Sequence, residues 1–103
     1  MQTVRILPKK TTRTKELVVQ NRSGIHARVS TMIVQRCKGF VSSICLRNGN
    51  ALAGCRSVLD LLSLGASNGM TVRLEATGED AAEAIEAIAA LFEARFNEDE
   101  ESL

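Results

Sequence analysis

Apolar positions switch between two spacings along the chain. Leu17, Val18 and Val19 form a short β-branched stretch that starts near Glu16 and stops at Asn21-Arg22-Ser23-Gly24, which reads as a strand running into a tight loop. Beyond it Val29, Met32, Ile33 and Cys37 recur at helical spacing as far as Lys38-Gly39, where a basic last turn and a glycine suit a helix C-terminus. Val41 to Arg47 and Ala51 to Ala53 flank Asn48-Gly49-Asn50, a turn that supplies positive φ at little steric cost and favours a hairpin. Ser57 precedes Val58, Leu59, Leu61, Leu62 and Leu64, and Gly65, Ser67, Asn68 and Gly69 then interrupt the run. This predicts a short helix capped by Ser57. Val72, Leu74 and Ala76 alternate with Thr71, Arg73 and Glu75, and Glu79-Asp80 opens a helix whose Ile85, Ile88, Phe92 and Phe96 form one stripe.

The order is therefore βαββαβα, an α+β pattern. A hairpin in the middle with helices between the outer strands is most economically satisfied by one four-stranded antiparallel sheet with three helices on a single face. Residues 1–14 read as a flexible basic leader, 15–96 as the folded domain and 97–103 as an acidic tail too polar to bury. The sequence contains no repeat and no second domain.

Composition narrows the functional classes. The 103 residues carry 13 basic and 12 acidic side chains, so no global field favours nucleic acid or an anionic membrane. No stretch reaches the roughly 18 apolar residues that a membrane span needs, and the basic leader has no secretory apolar segment. Cys37, Cys45 and Cys55 are odd in number and lack a C-x-x-C pair. That disfavours a disulfide framework and a structural zinc site and fits the reducing cytoplasm, with the thiols as small apolar filler. RNA binding on an open sheet face is disfavoured by three phenylalanines with no tyrosine or tryptophan.

The chain has one histidine, which rules out histidine-based metal clusters, and neither a metal nor a cofactor is expected. His26 lies in Ser23-Gly24-Ile25-His26-Ala27-Arg28, at the start of the first predicted helix. The free backbone N–H groups of Ala27 and Arg28 would face outward there, and a helix N-terminus favours an anion by roughly 0.3–1 kcal/mol. Neutral imidazole is a good nucleophile near pH 7, and its phosphorylated form is a reactive phosphoramidate suited to relay. Arg28 adds a planar cation able to pair with phosphate oxygens.

From about Lys15 to Phe96, the segments G-I-H-A-R, S-L-G-A-S-N-G and A-T-G-E-D-A-A-E-A-I stand in an order and spacing that resemble the HPr family. The resemblance implies the HPr-like open-faced sandwich and a phosphocarrier of the phosphoenolpyruvate-dependent phosphotransferase system. Such a carrier receives phosphate from Enzyme I and donates it to IIA domains for sugar uptake or its regulation. It implies that His26 is phosphorylated through its δ nitrogen, with Arg28 as phosphate partner. The chain would then be a carrier and not an enzyme, a bacterial, cytoplasmic monomer that meets its partners transiently.

Ser57 lies where relatives from Gram-positive bacteria carry a serine phosphorylated by HPr kinase/phosphorylase; from the residues themselves it is an N-cap. Val58, Leu59 and Leu62 follow it, and in the family this patch docks partners; on so short a helix Leu62 is expected in the core and Leu59 at the surface. Asp60 stands where relatives often have glycine or lysine. Val29 replaces the family's usual proline after the active-site arginine and restores an N–H, and Ser30 and Thr31 replace alanines. The hairpin turn is displaced by one residue relative to Ser57, which a bulge or a longer loop would absorb. The L-R-N before the turn, A-T-G-E-D and the closing A-L-F-E-A-R-F-N-E-D-E are similar to NPr, the nitrogen-type branch. The alternative to a relay is a regulatory module that uses the Val58-Leu59 surface to control a transcription regulator or an enzyme.

Overall fold

The computed structural model describes residues 11–98. In chain order the elements are β1 (Thr12–Val18), α1 (Ala27–Cys37), β2 (Ser43–Asn48), β3 (Ala51–Gly54), α2 (Val58–Ser63), β4 (Thr71–Thr77) and α3 (Ala81–Glu93), followed by a short turn at Arg95–Asn97. The strands form one antiparallel sheet in the order β1-β4-β2-β3.

Alternation decides which face of the sheet meets the helices. Leu17, Ile44, Leu46, Ala53, Val72, Leu74 and Ala76 are buried on one face. Their neighbours Glu16, Arg73, Glu75 and Arg47 lie on the other, joined across strands as Arg73–Glu16 and Arg47–Glu75 pairs at 3.4 and 3.2 Å. The helices close the apolar face with Val29, Ile33 and Cys37 of α1 and Ala84, Ile85, Ile88 and Phe92 of α3. Each large side chain buried there contributes about 1.5–3 kcal/mol. Cys37 and Cys55 are buried thiols in mutual contact, and burial with Glu75 nearby pushes the half-buried Cys45 thiol up.

Several boundaries differ from the sequence reading. The first strand begins at Thr12, inside the expected leader, because pairing with β4 runs from Thr12↔Thr77 to Val18↔Thr71 and gives polar residues a ladder to join. The hairpin closes on Gly49-Asn50, and its four register pairs from Asn48↔Ala51 to Cys45↔Gly54 run without a bulge. A turn follows in which the Ser57 N–H donates to the Gly54 carbonyl at 3.0 Å.

Phe96 is buried as expected, but not on the helix. α3 ends at Glu93, and Arg95, Phe96 and Asn97 have φ of 55°, 53° and 59°. Left-handed backbone costs a residue with a side chain roughly 1–2 kcal/mol. Burial of Phe96, edge-on to Phe92 with ring centroids 4.8 Å apart, holds the turn in place.

Candidate functional site

His26 is the N-cap of α1, in extended backbone, and its side chain does not cap the helix. The first helical bond runs from the Ser30 N–H to the His26 carbonyl at 2.8 Å. Among the described residues, none accepts from the N–H groups of Ala27, Arg28 or Val29. Two exposed donors, those of Ala27 and Arg28, are thus left where the macrodipole is positive, whereas Val29 is fully buried.

The loop that presents His26 is clamped from three sides. Asn21, fully buried, donates through Nδ2 to the Gly24 carbonyl at 2.7 Å. Asn68 donates to the carbonyls of Gln20 and Asn21 at 3.2 and 3.1 Å, and the Ile25 N–H donates to the Ala66 carbonyl at 3.1 Å. Gly24 sits at φ +70°, and a β-carbon there would come within 2.8 Å of the Ala66 oxygen. This glycine therefore lets the loop lie flat against the segment that follows α2.

The imidazole is one-third exposed, and its Nε2 lies 3.2 Å from Oε2 of Glu98. The other oxygen of Glu98 accepts from the Ser23 N–H at 3.1 Å. That backbone donor first, and the His26 ring after it, hold the Glu98 carboxyl below the usual carboxylate range. Arg28 is exposed and lies along α1, with Nη1 3.1 Å from the Met32 sulfur and not over the imidazole. A contact to a thioether is weak, so the guanidinium can leave it for a stronger acceptor at little cost.

The structure brings His26 together with the N–H groups of Ala27 and Arg28, and Ser57 and the leucines lie on α2, which packs against α1. Ser57 caps α2, accepting from the Asp60 N–H at 3.1 Å. Leu59 is 75% exposed, but so is Leu62 at 41%, which corrects its expected place in the core. A six-residue helix turns one position fully inward, and that position is Leu61. Val58 is half-buried. Asp60 accepts from the Gly54 N–H at 3.2 Å, so its carboxylate ties α2 to the end of β3.

Three contributors had no assigned role in the sequence reading. Asn21 and Asn68 look like ordinary turn residues in a list, although Asn68 belongs to the quoted S-L-G-A-S-N-G segment. Glu98 lay in the supposed acidic tail, and no local pattern marks a residue that reaches its partner 72 positions back. The remaining tail, 99–103, and residues 1–10 of the leader lie outside the described residues.

Comparison with known proteins agrees with this geometry. The model of the family described as "PTS HPr component phosphorylation site" matches residues 13–94. The phosphocarrier protein HPr of Xylella fastidiosa strain 9a5c is 38% identical over 84 residues, covering 82% of this chain and 94% of that one. The phosphocarrier protein NPr of Proteus mirabilis is 38% identical over 89 residues, covering 85% and 99%. The crystal structure of HPr-C-His from Thermoanaerobacter tengcongensis superposes with a TM-score of 0.80 at 34% identity, over 84% of this chain and 98% of that one. With the sheet order, the histidine at the head of α1 and these matches together, the chain belongs to the HPr family of phosphotransferase-system phosphocarriers.

Proposed function

We propose that His26 accepts a phosphoryl group from Enzyme I, originating in phosphoenolpyruvate, and that the chain donates it to IIA domains in the cytoplasm. The observation that carries this reading is a partly exposed imidazole at a helix N-terminus whose exposed Ala27 and Arg28 N–H groups have no acceptor among the described residues. The lone pair of Nδ1 attacks phosphorus while the donor's P–N bond breaks. The phosphoryl oxygens then pair with the backbone donors of Ala27 and Arg28, and the Arg28 side chain leaves Met32 to join them. Partner enzymes supply the remaining groups, so the chain is a covalent carrier and not a catalyst.

Docking falls to the exposed Leu59 and Leu62 with Val58 at their margin, a patch suited to transient contacts. Ser57 is the residue on which a kinase would act, and phosphate there would add charge to this patch. The likeness to NPr favours a second reading, in which the relay feeds a regulatory branch and not sugar uptake.

Incubation with phosphoenolpyruvate and Enzyme I, followed by mass and acid lability, tests the proposal. One acid-labile phosphoryl group is expected, absent from His26→Ala. No uptake, with Enzyme I shown active on another acceptor, would refute the reading.

A further inference from the structure

Glu98 meets both the His26 ring and the loop that carries it. One carboxylate oxygen is 3.2 Å from Nε2 and the other accepts from the Ser23 N–H at 3.1 Å. An ionised carboxylate only accepts, so this contact requires the proton on Nε2 and leaves the lone pair on Nδ1. The side chain is only 17% exposed, which limits competition from water. Its position depends on three consecutive left-handed residues and on the buried Phe96, an arrangement that turns the chain away from the axis of α3. Backbone in so uncommon a conformation persists only where its surroundings determine it.

We propose that Glu98 is a positioning residue for phosphoryl transfer: it holds His26 in the Nε2–H tautomer and compensates the positive charge that the ring acquires when Nδ1 is phosphorylated. This rests on the reading of His26 as acceptor. As the neutral ring attacks, the new N–P bond uses the Nδ1 lone pair, and the donor nitrogen takes the electron pair of the broken P–N bond. The ring keeps its Nε2 proton and becomes a phosphorylated imidazolium, its N–H pointing at the carboxylate. When the group moves on, the N–P electron pair returns to Nδ1 and the same tautomer is restored. No proton has to enter or leave the site in either direction. A hydrogen bond between oppositely charged groups is stronger than one to a neutral ring, so the contact tightens as charge develops.

The test uses phosphoramidate as a small donor, with nitrogen-15 and phosphorus-31 spectra identifying the phosphorylated nitrogen. The wild-type chain takes phosphate at Nδ1 alone. Glu98→Ala reacts about tenfold more slowly, equivalent to ~1.4 kcal/mol, and also yields the Nε2 isomer. Glu98→Gln, whose amide oxygen still accepts from Nε2–H without a charge, keeps the Nδ1 selectivity but loses rate. If both variants are folded and match the wild type in rate and isomer, Glu98 has no such role and the carrier reading stands. If the wild type accepts no phosphoryl group from phosphoramidate or from Enzyme I, the carrier reading fails and this inference with it.

Discussion

Replacing Gly24 with alanine tests how the His26 loop is held. Alanine at φ +70° incurs the left-handed cost of roughly 1–2 kcal/mol, offset by about 0.4–1 kcal/mol from the stiffer unfolded chain. The new β-carbon would also stand 2.8 Å from the Ala66 oxygen and 3.1 Å from Ser67 Cα, both backbone atoms that cannot rotate away. Ordinary contact requires the two segments to part by about half an ångström. That oxygen is the acceptor of the Ile25 N–H, so separation weakens a bond worth about 1 kcal/mol and disturbs packing beside it. The sum is a destabilisation of about 1–2.5 kcal/mol, or a fall in Tm of about 4–20 °C for a domain of this size.

Gly49 provides the matched control. Its φ is +61° and nothing lies within 4 Å of a β-carbon there, so Gly49→Ala carries the backbone cost without the clash. Urea unfolding of both variants should therefore differ by about 1–2 kcal/mol, with Gly24→Ala the weaker, and only Gly24→Ala should also slow phosphoryl uptake by His26. Equal losses in the two variants would show that the 20–25 loop does not depend on its approach to Ala66.

Other outcomes follow from the same contacts. Ser57→Ala, which removes the cap on the Asp60 N–H, should cost about 1 kcal/mol in urea unfolding without reducing phosphorylation of His26. Leu59→Ala should change stability by less than about 0.5 kcal/mol, because the side chain is exposed, yet raise the concentration of chain needed to saturate Enzyme I. The carboxyls of Asp80 and Glu98 are held below their ordinary values, Asp80 chiefly by the Ser42 hydroxyl and the Val41 N–H. Such groups bind protons more readily when unfolded, so their stabilisation is complete above about pH 5 and is lost as pH falls through their lower folded values. The urea midpoint should therefore decline below about pH 4.5, and more gently in Asp80→Asn.

The element order was legible because each segment keeps one period, from the helical spacing of Val29, Ile33 and Cys37 to the alternation through Val72, Leu74 and Ala76. His26 and the Ser57 cap were legible because both are local features of a helix start. Features set by tertiary packing were not. Thr12 to Lys15 carry no apolar pattern and are a strand only because β4 offers a ladder. Phe96 fits the period of α3 yet is buried from a left-handed turn, and periodicity does not report backbone handedness. Leu61 and Leu62 are adjacent identical residues, and which one faces inward depends on where a six-residue helix begins. Glu98 depends on that same left-handed turn, so the acidic run that hides it in the sequence carries no sign of its contact with His26.

The most direct test of the carrier claim is a chase. Phosphorylated chain, purified free of Enzyme I and of phosphoenolpyruvate, is mixed with a IIA domain, and the label on each protein is followed in time. Loss of phosphate from His26 matched by its gain on the IIA domain, and reversed by adding excess unphosphorylated chain, is the predicted result. Phosphate that stays on His26 or is released only to water, with the IIA domain shown competent toward another carrier, would contradict the account.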